Sequence, residues 1–276
     1  MRLFNKVAIV GVGLIGGSIA LDIKRKRLAN KIIGVSRHRE TLSLAYKRKV
    51  IDEGSQQIEV VRDADLLILA TPVNTILNLA PRIAQNIRRD CIVTDVGSTK
   101  EEIVLKLERK FRLFVGSHPL AGSEKRGVVN ARPGLFKDSL CILTPTKHTN
   151  AKALKKMESL WRQMGAKIFF LKPSVHDRVL SYVSHLPHVV AFSLMEAIPK
   201  EFLRFASPSL KGTTRIAASD IELWSDIFLS NSKNINKAIQ ALEEQLLKIK
   251  SAIYKKDRQR LVEVLKAAKS KRELLI

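Results

Sequence analysis

The sequence predicts an α/β N-terminal domain with a mostly parallel sheet, followed by an all-α C-terminal domain. Three observations carry that reading. Short apolar runs alternate with helical stretches over the first 171 residues, strand signals stop after Pro173, and a glycine-rich turn joins the first strand to the first helix. Short runs that are apolar on both faces, with helices between them, describe a sheet covered on two sides.

The elements follow in order. Residues 6–10 predict the first strand, 14–26 a helix and 31–35 a second strand. Further strand-like runs lie at 66–70, 92–94, 113–115, 140–143 and 167–171, with helices at 73–86 and 151–163 among them. Beyond Pro173 the periodicity is helical at 174–198, 232–250 and 256–269. The shift in composition at 171–173 divides the chain into a domain over 1–171 and a helical domain over 172–276. In the helical part Ile235, Ile239, Leu242, Leu246, Ile249 and Ile253 recur at spacings of four and three, an apolar seam. Such a seam packs in a core or forms a homodimer interface through the helical domain.

Composition narrows the classes. At 276 residues with 45% hydrophobic and 27% charged positions, usage is globular. No apolar run reaches the length of about 18 residues that spans a bilayer. The strand pattern begins at Lys6, which leaves no room for a signal or transit peptide, and the expected compartment is the cytoplasm. Cys91 and Cys141 fall inside apolar runs with no zinc-like spacing, so buried reduced thiols are expected. Lys plus Arg is 49 against 26 Asp plus Glu, a net charge of +23, which favours anionic partners. Nucleic acid and small polyanions both fit. Between Lys248 and Arg272 there are 10 basic and 2 acidic residues, a pattern that suits a solvated face or a basic tail.

Gly11-Val12-Gly13-Leu14-Ile15-Gly16 follows a strand and opens a helix, the context required of a dinucleotide-binding turn in a Rossmann-like domain. Gly11 permits the tight turn, Gly13 lets backbone approach a pyrophosphate, and Gly16 permits close helix–strand packing. Leu14 and Ile15 begin the helix, whose free N–H groups suit phosphate. An NAD site places an acidic residue about 20 positions on, where this chain has Ser36-Arg37-His38-Arg39. A hydroxyl and guanidinium groups suit a 2′-phosphate, so NADP is the expected cofactor, with NAD possible. The alternative is that these arginines only begin a solvated helix. Thr71-Pro72 and Val96-Gly97-Ser98 end two further strands, and ligands bind beyond the carboxyl ends of parallel strands. Ser98 and Ser117-His118-Pro119 are therefore expected in loops at the ligand edge, with His118 a candidate base of pKa near 6.5.

With those residues in view, the chain resembles the prephenate/arogenate dehydrogenase family. GVGLIGGS from Gly11, DVGSTK at 95–100, SHPLAGSE at 117–124, HD at 176–177, SHLPH at 184–188 and TRIA at 214–217 stand in that family's order. The resemblance implies a Rossmann domain followed by a helical domain that builds a homodimer. It resembles the stand-alone form, without a chorismate mutase or ACT domain. It implies oxidative decarboxylation of prephenate to 4-hydroxyphenylpyruvate in tyrosine synthesis, or of arogenate to tyrosine. His118 is then the base, and Ser98 binds the ring hydroxyl and orients the histidine. Arg215 holds the ring carboxylate, His188 the side-chain carboxylate end, and Glu124 stands at the mouth near the side chain. Asp177 and Lys211 match an ionic network, and Trp224 a packing position. No metal is implied: His185 and His188 have no third ligand of matching spacing. A basic nucleic-acid-binding protein on the same scaffold is the rival from another class, but such a module needs none of His118, Ser98 and Arg215.

Overall fold

The computed structural model describes residues 2–122 and 125–275. The expected Glu124 site therefore lies outside the described residues. The strands are β1 (Phe4–Val10), β2 (Ala29–Val35), β3 (Glu53–Ser55), β4 (Leu66–Leu69), β5 (Ile92–Asp95), β6 (Phe114–Pro119), β7 (Leu140–Leu143) and β8 (Lys167–Phe170). The helices α1 (Leu14–Arg25), α2 (Arg39–Lys47), α3 (Val73–Asn86), α4 (Glu101–Leu107) and α5 (Ala151–Gln163) belong to the sheet region. Beyond it come α6 (Pro173–Leu180), α7 (Leu186–Ala197), α8 (Pro208–Thr214), α9 (Ile221–Ser230), α10 (Ser232–Tyr254) and α11 (Arg258–Glu273).

The strands form one sheet in the order β3-β2-β1-β4-β5-β6-β7-β8. Every pairing is parallel except β6 with β7. Alternate strand residues feed two separate cores. Val7, Ile9, Leu66 and Ile68 face one, and Ala8, Val10, Leu67 and Leu69 face the other. Each buried Val, Leu or Ile among them contributes roughly 1.5–3 kcal/mol, which is why these short runs are apolar throughout rather than alternating. On α5, Ala153, Met157, Leu160 and Trp161 line the buried face, and the Asn150 side chain caps the Ala153 N–H at 3.0 Å.

β3 has no counterpart in the sequence reading. It is three residues long and largely exposed at the sheet edge, so it leaves no apolar run. α8 and α9 also escape that reading, being short and only partly buried.

Two further expectations are corrected. Ser117-His118-Pro119 does not lie in a loop: β6 runs on past the end of β5, because β7 takes over the ladder, with His118 opposite Ile142. The helix expected over 174–198 is divided by a π turn at Ser181–His185. Pro187, in the first turn of α7, lacks the N–H for an i→i−4 bond and crowds the carbonyl four residues back, so the wider turn accommodates it.

The seam on α10 is divided in its environment. Ile235 is buried, Ile239, Leu242 and Ile249 are half-buried, and Leu246 and Ile253 are exposed. No residue of the basic α11 is buried. Cys91 and Cys141 are buried free thiols, as expected. Among the described residues no helix is long and apolar enough to cross a membrane.

Candidate active site

The glycine turn has the geometry expected of it. Gly11 has φ +95°, and a Cβ there would stand 2.4 Å from the Ala70 carbonyl oxygen. A Cβ on Gly16 would lie 2.1 Å from the Gly11 carbonyl oxygen. Gly13 differs: nothing lies within 4 Å of its would-be Cβ, so the backbone opens onto free space where α1 begins at Leu14 and Ile15. Beside this turn the buried Thr71 hydroxyl has no hydrogen-bond partner among the described residues, and Pro72 precedes α3. An open backbone cradle, a helix N-terminus and an orphan hydroxyl together fit a dinucleotide phosphate. At the end of β2, Ser36 is half-buried and its Oγ accepts the His38 N–H at 3.2 Å, while Arg37 and Arg39 are exposed.

At the far end of β5 and β6 the sheet meets the helical domain. His118 is nearly buried, and its Nδ1 lies 2.8 Å from Nε2 of His176. Nδ1 of His176 lies 2.8 Å from Oδ1 of Asp177. That carboxylate also accepts the backbone N–H groups of Lys100 at 2.7 Å and Glu101 at 2.9 Å, at the start of α4. Asn231 donates to the Asp177 carbonyl at 2.8 Å and lies 3.1 Å from Nδ1 of His185. Beneath this chain the fully buried Lys100 ammonium pairs with Asp95, whose carboxylate also accepts the Gly97 N–H at 2.8 Å.

The electrostatics follow from burial. Loss of solvent, helped by His176, Lys100 and His185, pushes His118 well below its ordinary value near 6.5. His118 is thus a neutral imidazole and not the unperturbed group expected from sequence. Burial likewise pushes His176 down to about 2 and His185 down to about 4. Burial pushes the Asp177 carboxyl up, against the pull of its two backbone donors.

The other expected residues divide. Ser98 is half-buried on the β5–α4 loop, but the orienting bond to His118 comes from His176 instead. His188 stacks on Trp224, with ring centroids 3.4 Å apart, and its Nδ1 donates to the Ser184 carbonyl at 3.0 Å. The neutral ring therefore presents Nε2 as an acceptor. Arg215 opens a short 3₁₀ turn packed against α7, the helix that carries His188. Asp177 is buried at the domain junction, whereas Lys211 is exposed on α8 and is not among its partners. The Asp177 carboxylate is met by backbone donors at the start of α4 where a lysine was expected. His176, Lys100, Asp95 and Asn231 were not assigned from sequence. The motifs HD and DVGSTK contained three of them, but nothing local marks which side chains turn inward. Among the described residues no cluster of His, Cys, Asp and Glu could hold a metal ion.

The depressed histidine has a measurable consequence. An unfolded chain protonates His185 near pH 6.5, whereas the folded chain resists until about 4, so unfolding takes up a proton between those values. Folding stability from this group is present above pH 6.5 and is lost as pH falls. The native chain should lose about 1.4 kcal/mol per pH unit relative to His185→Gln between pH 6 and pH 4.5, measured by urea unfolding. Parallel pH dependences for the two chains would contradict a neutral buried His185.

Comparison with known proteins agrees with this geometry. A family model described as the nucleotide-binding domain of prephenate dehydrogenase matches residues 19–170, and one described as the dimerization domain of prephenate dehydrogenase matches residues 172–267. The chain is 36% identical to the prephenate dehydrogenase of Bacillus subtilis, over 98% of this chain and 76% of that protein. The crystal structure of prephenate dehydrogenase from A. aeolicus, in complex with hydroxyphenyl propionate and NAD+, superposes with a TM-score of 0.93 at 38% identity, covering 99% of this chain and 98% of that one. Arogenate dehydrogenase from Synechocystis superposes with a TM-score of 0.85 at 29% identity, covering 98% of this chain and all (100%) of that one. With both domains matched in order and a full-length relative above 30% identity, this chain belongs to the prephenate dehydrogenase family.

Proposed function

We propose that the protein is a dehydrogenase that oxidatively decarboxylates prephenate to 4-hydroxyphenylpyruvate in tyrosine synthesis. The observation that carries this reading is the neutral, buried His118 at the carboxyl edge of the sheet, the edge that also carries the dinucleotide cradle. The bound dinucleotide supplies a hydride acceptor. Ser98 hydrogen-bonds the ring hydroxyl, and Nε2 of His118 takes its proton as the hydride leaves the same carbon. Arg215 holds the ring carboxylate. When the carbon–carbon bond to that carboxylate breaks, its electron pair aromatises the ring, and the proton returns from His118 to the ring oxygen. Metal-free chemistry suffices because aromatisation drives the loss of carbon dioxide. Asp177 seats the helical domain on the sheet domain, with the division at 171–173.

Two finer points extend the reading. NADP is the proposed cofactor, because β2 is followed by Ser36, Arg37 and Arg39 with no carboxylate at the position expected to bind the ribose. A homodimer through the helical domain is supported by Leu246, Leu247 and Ile253, which lie exposed along α10. Arogenate is the second reading for the substrate, and one observation favours it. The Ser184 bond leaves neutral His188 an acceptor, which suits an ammonium, while donation to a keto acid requires the protonated ring.

Turnover of each substrate with NADP, followed by absorbance of the reduced cofactor, tests the assignment. The kcat/KM for prephenate should exceed that for arogenate, and the ratio should grow as pH falls and His188 gains a proton. The acid limb assigned to His118 should lie below pH 6.5, since the depressed imidazole stays a competent base there. His118→Asn should lower kcat by roughly 10²–10⁴-fold with folding kept. Turnover of neither substrate, or near-normal kcat in His118→Asn, would refute the mechanism.

The cofactor proposal has its own measurement. Arg37→Ala should weaken NADP binding by about 1.5–3 kcal/mol and leave NAD nearly unchanged. Equal kcat/KM with NAD and NADP in the unmutated chain would overturn it. For the assembly, light scattering at micromolar protein should return twice the chain mass of 31.0 kDa, and a monomer would contradict the interface.

A further inference from the structure

Among the described residues His118 Nε2 has no hydrogen-bond partner, and which ring nitrogen carries the proton decides whether it is a base. Neutral imidazole has one donor and one acceptor nitrogen, and the hydrogen bond at one sets the role of the other. Here the roles can be traced from groups that cannot reverse. Backbone N–H groups of Lys100 and Glu101 only donate, and they donate to the two oxygens of Asp177. Asp177 is thereby held as an acceptor, so Nδ1 of His176, 2.8 Å from Oδ1, carries its ring proton. Nε2 of His176 is then an acceptor and faces Nδ1 of His118 at 2.8 Å. The proton of His118 must sit on Nδ1, and its Nε2 lone pair is left free.

We infer that His176 and Asp177 are a positioning pair, contributed by the helical domain, that holds His118 in the one tautomer able to accept the substrate's hydroxyl proton. This rests on the assignment of His118 as the base. It adds that the base is competent only while the helical domain is seated on the N-terminus of α4. The polarity begins at backbone groups of the sheet domain, passes through Asp177 and His176 of the helical domain, and returns to β6. Asn231 secures the crossing by donating to the Asp177 carbonyl. Trp161 and Thr94, bonded to the neighbouring Ser117, hold the strand on its other face. His176 and Asp177 are both buried, so no water competes for these bonds.

The test reads the tautomer without substrate. Nitrogen-15 NMR of imidazole-labelled protein near pH 7 should show His118 protonated at Nδ1 and bare at Nε2. In Asp177→Asn the new amide N–H can donate to His176 Nδ1, which reverses both rings, and the His118 proton should move to Nε2. Reversal of that kind in a catalytic histidine lowers kcat by about 10⁴-fold in the serine proteases, and a fall on the order of 10²–10⁴-fold with KM little changed is expected here. If Asp177→Asn does not fold, His176 carries the test. His176→Leu should lose kcat to the same degree, while His176→Gln, whose amide oxygen can accept from Nδ1, should restore at least a tenth of it. Nε2–H on His118 in the unmutated chain, or equal activity of His176→Leu and the unmutated chain, would overturn the pair. An unmutated chain that shows the Nδ1–H tautomer yet turns over neither prephenate nor arogenate would overturn the dehydrogenase reading and uphold the pair.

Discussion

The Asp177 carboxylate is the joint on which the two halves of this protein depend. A buried carboxylate is costly unless its oxygens are answered by donors. Here the answers come from both sides of the molecule: the Lys100 and Glu101 N–H groups from the sheet domain, and the His176 ring from the helical domain. Its own carbonyl receives Asn231, from the junction of α9 and α10. Removing one of the carboxylate's donors leaves part of a buried charge unanswered in a dry place. The same carboxylate that docks the domains is thus the one that bonds the His176 ring, which in turn bonds His118.

Lys100 shows how closely the parts are coupled. Its backbone N–H belongs to Asp177 and its ammonium to Asp95, both without solvent. Breaking such a buried pair by removing one partner costs about 3–5 kcal/mol, so the residue is held in place by the stability of the fold. Its positive charge, so placed, helps keep His118 and His176 neutral. Smaller contacts reinforce the junction, among them Asn74 with Asp226 at 2.7 Å and Thr99 with Ser230 at 3.1 Å. Arg126 also pairs with Asp220, the residue that caps α9.

The π turn serves the other side of the site. Within that turn the Ser184 carbonyl accepts from Nδ1 of His188. Trp224 covers the ring and fixes its plane. Burial pushes the His188 imidazole below its ordinary value, a property the residue type alone does not define.

The sequence by itself determined the alternation of strands and helices, the glycine turn, the change to helices after Pro173 and the presence of His118. Each rests on a local signal: apolar runs, the spacing of glycines, the period of a helix. Tertiary structure decided the rest. Whether SHP is strand or loop depended on β7, which arrives from residues 140–143 and extends the ladder. The partner of His118 is 58 positions away in the chain, and no local pattern links the two. The expected Lys211 partner of Asp177 is replaced by backbone N–H groups, and the orienting bond expected from Ser98 by His176, because an N–H at a helix start has no signature in side-chain identity. The ionisation of His118 was beyond the sequence for the same reason. A histidine's pKa is set by how much water surrounds it and which charges are near, and both exist only once the sheet and the helices have closed around the ring.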